Sequence, residues 1–225
     1  HSYQSIIKDC ENSLRRLGTD YIDIYYTHNP AKDPEKYPVE QTVRALMDLK
    51  KAGKIRCIGS SNVKPEHVEA YRACGCEIDI IQRKYSIMTR NAEDDILPVC
   101  EKYGMSFHAY APIERGLLTG TVTKDRVVPP GDAREDQAWW EAARLPHAID
   151  FVDGLKDICE EYHCTQTDLA IAFIRHRGPF INVIYGARKI SHLEAGAATI
   201  NVTLRDDTVA EIRRRVEALE AQYGG

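Results

Sequence analysis

Five short β-branched or aromatic runs alternate with amphipathic helical patterns along this chain, and that alternation limits the fold more than any other feature. The runs cover 21–27, 55–59, 78–85, 105–110 and 181–185. Between them, apolar residues recur three and four apart. Ile6, Ile7, Cys10, Leu14 and Leu17 mark a helix over 3–17, and Val39, Val43, Leu46 and Leu49 mark one over 38–52. Further helices are expected at 65–73, 92–103, 148–162, 166–177, from about Ser191, and at 206–221. Pro38 and Pro65 stand where helices start, and Gly18, Gly53 and Gly104 where they stop. Strands joined through helical crossovers run parallel, so the pattern predicts an α/β fold with a parallel sheet.

No G-x-G-x-x-G turn follows any run, which argues against a Rossmann domain. The expected architecture is a (β/α)8 TIM barrel, of which this chain holds about five of eight βα units plus a C-terminal helix. Residues 1–225 are expected to form a single partial TIM-barrel domain, with a long loop at about 119–147. Five strands cut from a barrel would expose two sheet edges. The chain also opens on His1 and runs directly into a helix. Either the chain is part of a longer polypeptide or something else completes the barrel; the expectation is the former, with the missing strands upstream over roughly a hundred residues.

Charge and cysteine usage narrow the function. A net charge of −4 argues against a nucleic-acid or polyanionic-membrane partner. No run approaches the ~18 apolar residues of a membrane span. Seven cysteines, scattered through the chain, read as reduced thiols of a cytoplasmic protein. Cys74-Gly75-Cys76 lacks the spacing and second ligand pair of a zinc site, so no metal is expected.

Every strand run ends in a polar or special cluster. These are Thr27-His28-Asn29, Gly59-Ser60-Ser61-Asn62, Gln82-Arg83-Lys84-Tyr85, Tyr110-Ala111-Pro112 and Gly186-Ala187-Arg188-Lys189. In a barrel such ends share one rim, where active sites are built. Ser191 and Glu194 read as a capping box at a helix start, where free N–H groups and positive potential suit a phosphate.

These segments resemble the aldo-keto reductases. Leu14-Arg15-Arg16-Leu17-Gly18-Thr19-Asp20-Tyr21-Ile22-Asp23 followed by His28 is similar to that family's fourth strand, and the likeness continues to strand eight. The resemblance implies that His28 is catalytic, beside the reacting carbonyl. It implies that Ser61, Asn62 and Gln82 hold the nicotinamide carboxamide and that Tyr110 stacks on the ring. Pro112, Gly116 and Leu118 lie in the loop that would approach the pyrophosphate. Gly186, Ala187, Arg188, Lys189 and His192 lie in the phosphate segment, whose charge suits the 2′-phosphate of NADP(H).

Departures are Ala195-Gly196 where the family commonly has Glu-Asn, His192 for Gln or Arg, and Ala111 for Ser. The family's proton-donating tyrosine, with its lysine and aspartate, sits on earlier strands that this sequence does not contain. Tyr25, Tyr26 and Lys84 match none of those positions.

The implied function is NADPH-dependent reduction of an aldehyde or ketone by the complete aldo-keto reductase, acting on a small-molecule carbonyl substrate. Two other readings are a catalytically inactive nucleotide-binding or assembly subunit, and a different barrel enzyme that takes a sugar phosphate. The substrate and the oligomeric state are not legible in these residues.

Overall fold

The computed structural model describes residues 2–187 and 189–223. Its chain contacts separate two compact units, residues 1–83 with 91–108, and residues 84–90 with 109–225. The five strands are β1 (Ile22–Thr27), β2 (Ile55–Ser61), β3 (Ile80–Lys84), β4 (Ser106–Tyr110) and β5 (Ile181–Val183), hydrogen-bonded in that order. The pairings of β1 with β2 and of β2 with β3 are parallel, as the crossover pattern predicts.

In the first unit, α1 (Tyr3–Leu17) buries Ile6, Cys10 and Leu14 and ends at Gly18, which takes a left-handed φ of 69°. Its exposed side is tied down by Tyr3 Oη donating to Asp48 Oδ2 at 2.9 Å and by the Glu11–Lys54 ion pair. Helix α2 (Val39–Lys51) buries Val43, Leu46 and Leu49, and α3 (Pro65–Ala73) begins on Pro65. Helix α4 (Ile96–Tyr103) starts four residues later than its apolar stripe predicts, after a 3-10 turn at Asn91–Glu93. Asp95 sets that start. It accepts from the Ile96 N–H at 2.6 Å and pairs with Arg83 at 2.8 Å.

Although the 21–27 run is rich in β-branched and aromatic residues, only Thr27 of its strand is buried. The cause is position. β1 stands first in the sheet order, so one of its edges has no strand beside it among the described residues. Alternation still sorts its side chains. Tyr25 lies on one face, where burial pushes its phenol up to about 12. Tyr26 lies on the other, where burial also raises its pKa and a hydrogen bond from Gln82 opposes the rise.

Tyr26 is the best-fixed side chain on that second face. It is the register partner of Gly59, and a Cβ at Gly59 would lie 2.4 Å from its ring carbons. Its hydroxyl meets His108 Nδ1 at 2.9 Å. Burial lowers the His108 pKa. With Nδ1 unprotonated, the neutral imidazole accepts a hydrogen bond from the Tyr26 hydroxyl.

In the second unit, α7 (Gln166–Arg175) buries Leu169, Phe173 and Ile174, and a capping box of Thr165 and Asp168 starts it. The helix expected over 148–162 is two, α5 (Leu145–Asp153) and α6 (Lys156–Glu161). Arg215, on α9 (Asp206–Ala221), donates to the Gly154 carbonyl at 2.6 Å, which draws that carbonyl to a partner outside the helix at the break. The 119–147 connection is anchored rather than free. It carries a 3-10 turn at Ala138–Trp140, and Trp140 is buried.

Helix α8 (Ile190–Ala198) does not start on a Ser191 capping box. Its N-cap is Lys189, in extended backbone and with no side-chain cap bond, so Ser191 lies inside the first turn. Packing on Tyr185 accounts for the departure at Gly196, because a Cβ there would come within 2.5 Å of the Tyr185 ring.

Two outcomes follow from the Tyr26 cluster. Gly59→Ala should lower stability by about 1–3 kcal/mol, since the ring it displaces is hydrogen-bonded at its far end, as read from the urea midpoint. The His108 imidazole has a folded pKa below its ordinary 6.5. The unfolded chain therefore takes up that proton first, and the contribution of His108 is complete above pH 6.5 and declines as pH falls towards the folded value. His108→Gln, which keeps an acceptor for Tyr26, should flatten this part of the pH–stability curve. An unchanged slope would show that His108 does not titrate this way.

Candidate functional site: strand ends and the loops after β3 and β4

In the first unit the C-terminal ends of β1, β2 and β3 lie in register. Thr27 pairs with Ser60, and Ser61 with Gln82. Thr27 Oγ1 and Ser60 Oγ share a 2.8 Å hydrogen bond on one face. Ser61 therefore falls on the opposite face, the one that Gly59 and Tyr26 occupy. Its hydroxyl is buried and has no hydrogen-bond partner among the described residues. A buried hydroxyl left alone costs about 1–3 kcal/mol, which fits a position that a ligand completes.

Asn62 follows with a left-handed φ of 58°. Its Nδ2 donates to the His28 carbonyl and to Asn29 Oδ1, each at 3.0 Å. The Asn62 amide nitrogen thus braces the turn that carries His28. Its own backbone N–H donates to the Gln82 carbonyl at 3.0 Å.

His28 is exposed at the end of β1. Asn29 Nδ2 lies 3.3 Å from its Nδ1. With the amide donating, Nδ1 is the acceptor and Nε2 carries the proton. The ring therefore presents an N–H donor on its far side.

In the second unit, Tyr110 is half-buried and its carbonyl accepts from the Tyr85 N–H at 3.3 Å. Pro112 is buried. The N–H groups of Gly116 and Leu118 both donate to the Ile113 carbonyl, at 2.9 and 3.2 Å, and the Leu118 side chain is in the core. Both residues thus shape the loop from within. Ala111, Glu114 and Arg115 all have positive φ, of 54°, 46° and 55°. Each such non-glycine residue costs roughly 1–2 kcal/mol, so something must hold this turn.

The holder is Glu114, which pattern reading passes over. Its side chain is only 2 % exposed. Lys84 Nζ pairs with Oε2 at 2.8 Å, Thr89 Oγ1 donates to Oε1 at 2.7 Å, and the Ser86 hydroxyl donates to the same oxygen. Lys84 also donates to Gln137 Oε1 at 3.1 Å. The one hint in the sequence is a lone acid between Pro112-Ile113 and Gly116-Leu117-Leu118.

Gly186, Ala187, Lys189 and His192 are exposed around the start of α8. Arg188 lies outside the described residues.

No helix among the described residues is long and apolar enough to cross a membrane. The family model described as "Aldo/keto reductase family" matches residues 1–217. The NADH-specific methylglyoxal reductase of Escherichia coli (strain K12) is 40% identical over 219 residues, 97% of this chain and 66% of that protein. Aldo-keto reductase YhdN of Bacillus subtilis (strain 168) is 32% identical over 213 residues, 94% of this chain and 63% of that protein. Among solved structures, the glycerol dehydrogenase AKR11B4 from Gluconobacter oxydans superposes with a TM-score of 0.87 at 28% identity, covering 99% of this chain and 65% of that one. The chain thus spans just under two-thirds of the length of these curated relatives. With the parallel strand ends, the rim histidine and the strand-order topology already in place, the match over nearly every residue has one meaning: the chain belongs to the aldo/keto reductase family.

Proposed function

We propose that the complete protein is a cytoplasmic nicotinamide-dependent oxidoreductase that reduces a small aldehyde or ketone to an alcohol. On this reading residues 1–225 are a single part-barrel domain that contributes strands four to eight of an eight-unit barrel. The observation that carries the proposal is the buried Ser61 hydroxyl, without a hydrogen-bond partner among the described residues and in register with Gln82 on the face where His28 follows.

The residues present fit a nicotinamide cofactor, which when bound supplies the hydride. In the first unit, Ser61 Oγ, Asn62 and Gln82 would hold its carboxamide, since such a group needs donors and acceptors together. In the second unit, Tyr110 would offer its ring face, the loop through Pro112, Gly116 and Leu118 would approach the pyrophosphate, and Gly186, Ala187, Arg188, Lys189 and His192 would meet the adenosine phosphate. His28 Nε2–H would donate to the carbonyl oxygen as negative charge develops there. The proton for that oxygen is assigned to a tyrosine elsewhere in the complete protein. Tyr25 and Tyr26 do not suit the task, because burial raises both phenols where an acid needs a lowered pKa.

In the complete enzyme, His28→Ala should lower kcat by about two to three orders of magnitude, as for loss of one oxyanion donor. Nucleotide affinity should hold, because those contacts come from other strand ends. Intact turnover in the variant would reduce His28 to a structural residue. An unmodified protein that binds nucleotide without reducing any carbonyl would support the inactive-subunit reading instead.

For the cofactor, Arg188 and Lys189 favour NADPH, and Arg188→Ala should narrow its advantage over NADH by about 1–3 kcal/mol. A second reading, NADH, is favoured by the 40% identical relative, an NADH-specific methylglyoxal reductase. Titrating both nucleotides by fluorescence decides, and equal or NADH-biased affinities would reject the NADPH assignment.

A further inference from the structure

The loop after β4 holds a buried acid beside an exposed base. Glu114 is engaged by Lys84, Ser86 and Thr89, and its own carbonyl accepts from Trp140 Nε1 at 3.0 Å. Ser86 is itself fixed, its hydroxyl accepting from the N–H groups of Met88 and Thr89 at 3.1 and 2.9 Å. Every polar atom of this cluster thus has a partner inside the second unit. Arg115, the next residue, is exposed and makes no ion pair among the described residues, yet its backbone is held at a φ of 55°. Gly116 continues the turn at 102°. A long side chain in that conformation needs the surrounding structure to over-determine it, and such residues cluster at ligand clamps.

We propose that Glu114 is a positioning residue for nucleotide binding. Its carboxylate locks the 111–116 turn so that the Arg115 guanidinium stands out from the loop to meet the cofactor's pyrophosphate. The inference rests on the reading above that this loop takes part in nicotinamide-nucleotide binding. Its chemistry is simple. A planar guanidinium reads two phosphate oxygens at once, and a pre-set backbone spares the ordering cost that a mobile loop would meet on binding. Lys84 is excluded from that role because its ammonium is already committed to Glu114 and Gln137.

The probe is ADP-ribose, which carries the pyrophosphate but no nicotinamide and cannot react, titrated calorimetrically into the full-length protein. Arg115→Ala should weaken binding about tenfold or more, as for loss of a charge-assisted contact, with an unchanged melting temperature. Glu114→Gln, which keeps the shape and drops the charge, should weaken it comparably. The double variant should lose little beyond the larger single loss, because both act through one guanidinium. Nicotinamide riboside, which carries no phosphate, should bind all variants alike. Unchanged ADP-ribose affinity in Arg115→Ala overturns the proposal, and that variant, altered only at an exposed side chain, serves even where Glu114→Gln does not fold. Fully additive losses overturn it as well, since they make Glu114 structural. An unmodified protein that binds neither ADP-ribose nor NADPH nor NADH removes the proposed function and this inference together, whereas binding that the variants leave intact removes this inference alone.

Discussion

The parallel register between β1 and β2 is the constraint on which the first unit's rim depends. Pairing Tyr26 with Gly59 and Thr27 with Ser60 settles which face each following residue takes. A slip of one position would send Tyr26 into the helical layer and turn Ser61 away from Gln82. Two contacts hold the register against such a slip. The Thr27–Ser60 hydroxyl pair works on one face, and the seat of the Tyr26 ring on Gly59 works on the other. Asn62 then extends the same alignment past the strand ends, by bonding the turn that carries His28.

The second unit solves a different problem. Its loop after β4 adopts backbone that L-residues avoid, and no strand ladder supports it. Support comes from a carboxylate in the interior, where an unmet oxygen is itself costly. Lys84, Ser86 and Thr89 all come from the end of β3 and the segment after it, so one side chain ties two successive βα loops together. Breaking any one of these bonds leaves the remainder of a buried charge uncompensated. That makes the loop's shape an all-or-none property.

Strand count, parallel pairing and most helix ends were legible because they rest on local signals. Apolar period, Gly at helix ends and Pro at helix starts are written within a few residues of where they act. What was not legible depended on distant partners. The 148–162 stripe runs on past Gly154, where the first helix ends, and the carbonyl there is taken by Arg215, some sixty residues away. Ser191 and Glu194 satisfy a capping pattern, but the helix is capped two residues earlier, at Lys189. The departure to Gly196 has no local sign in the sequence, and the structure shows a ring from Tyr185 in the space. The rim residues were named through family likeness, whereas Glu114 and the Tyr26–His108 pair were missed, because neither stands at a motif position.

The anchoring of the long connection has an optical consequence. The chain has two tryptophans, and both lie in one short turn of that connection. The Trp140 indole donates to the backbone of Glu114 and the Trp139 indole to that of Met88, while the Trp139 ring lies edge-on to Tyr223 at 6.4 Å. Tryptophan emission from these 225 residues therefore arises from a single neighbourhood, and its wavelength reports the polarity beside the Glu114 turn rather than an average over the protein.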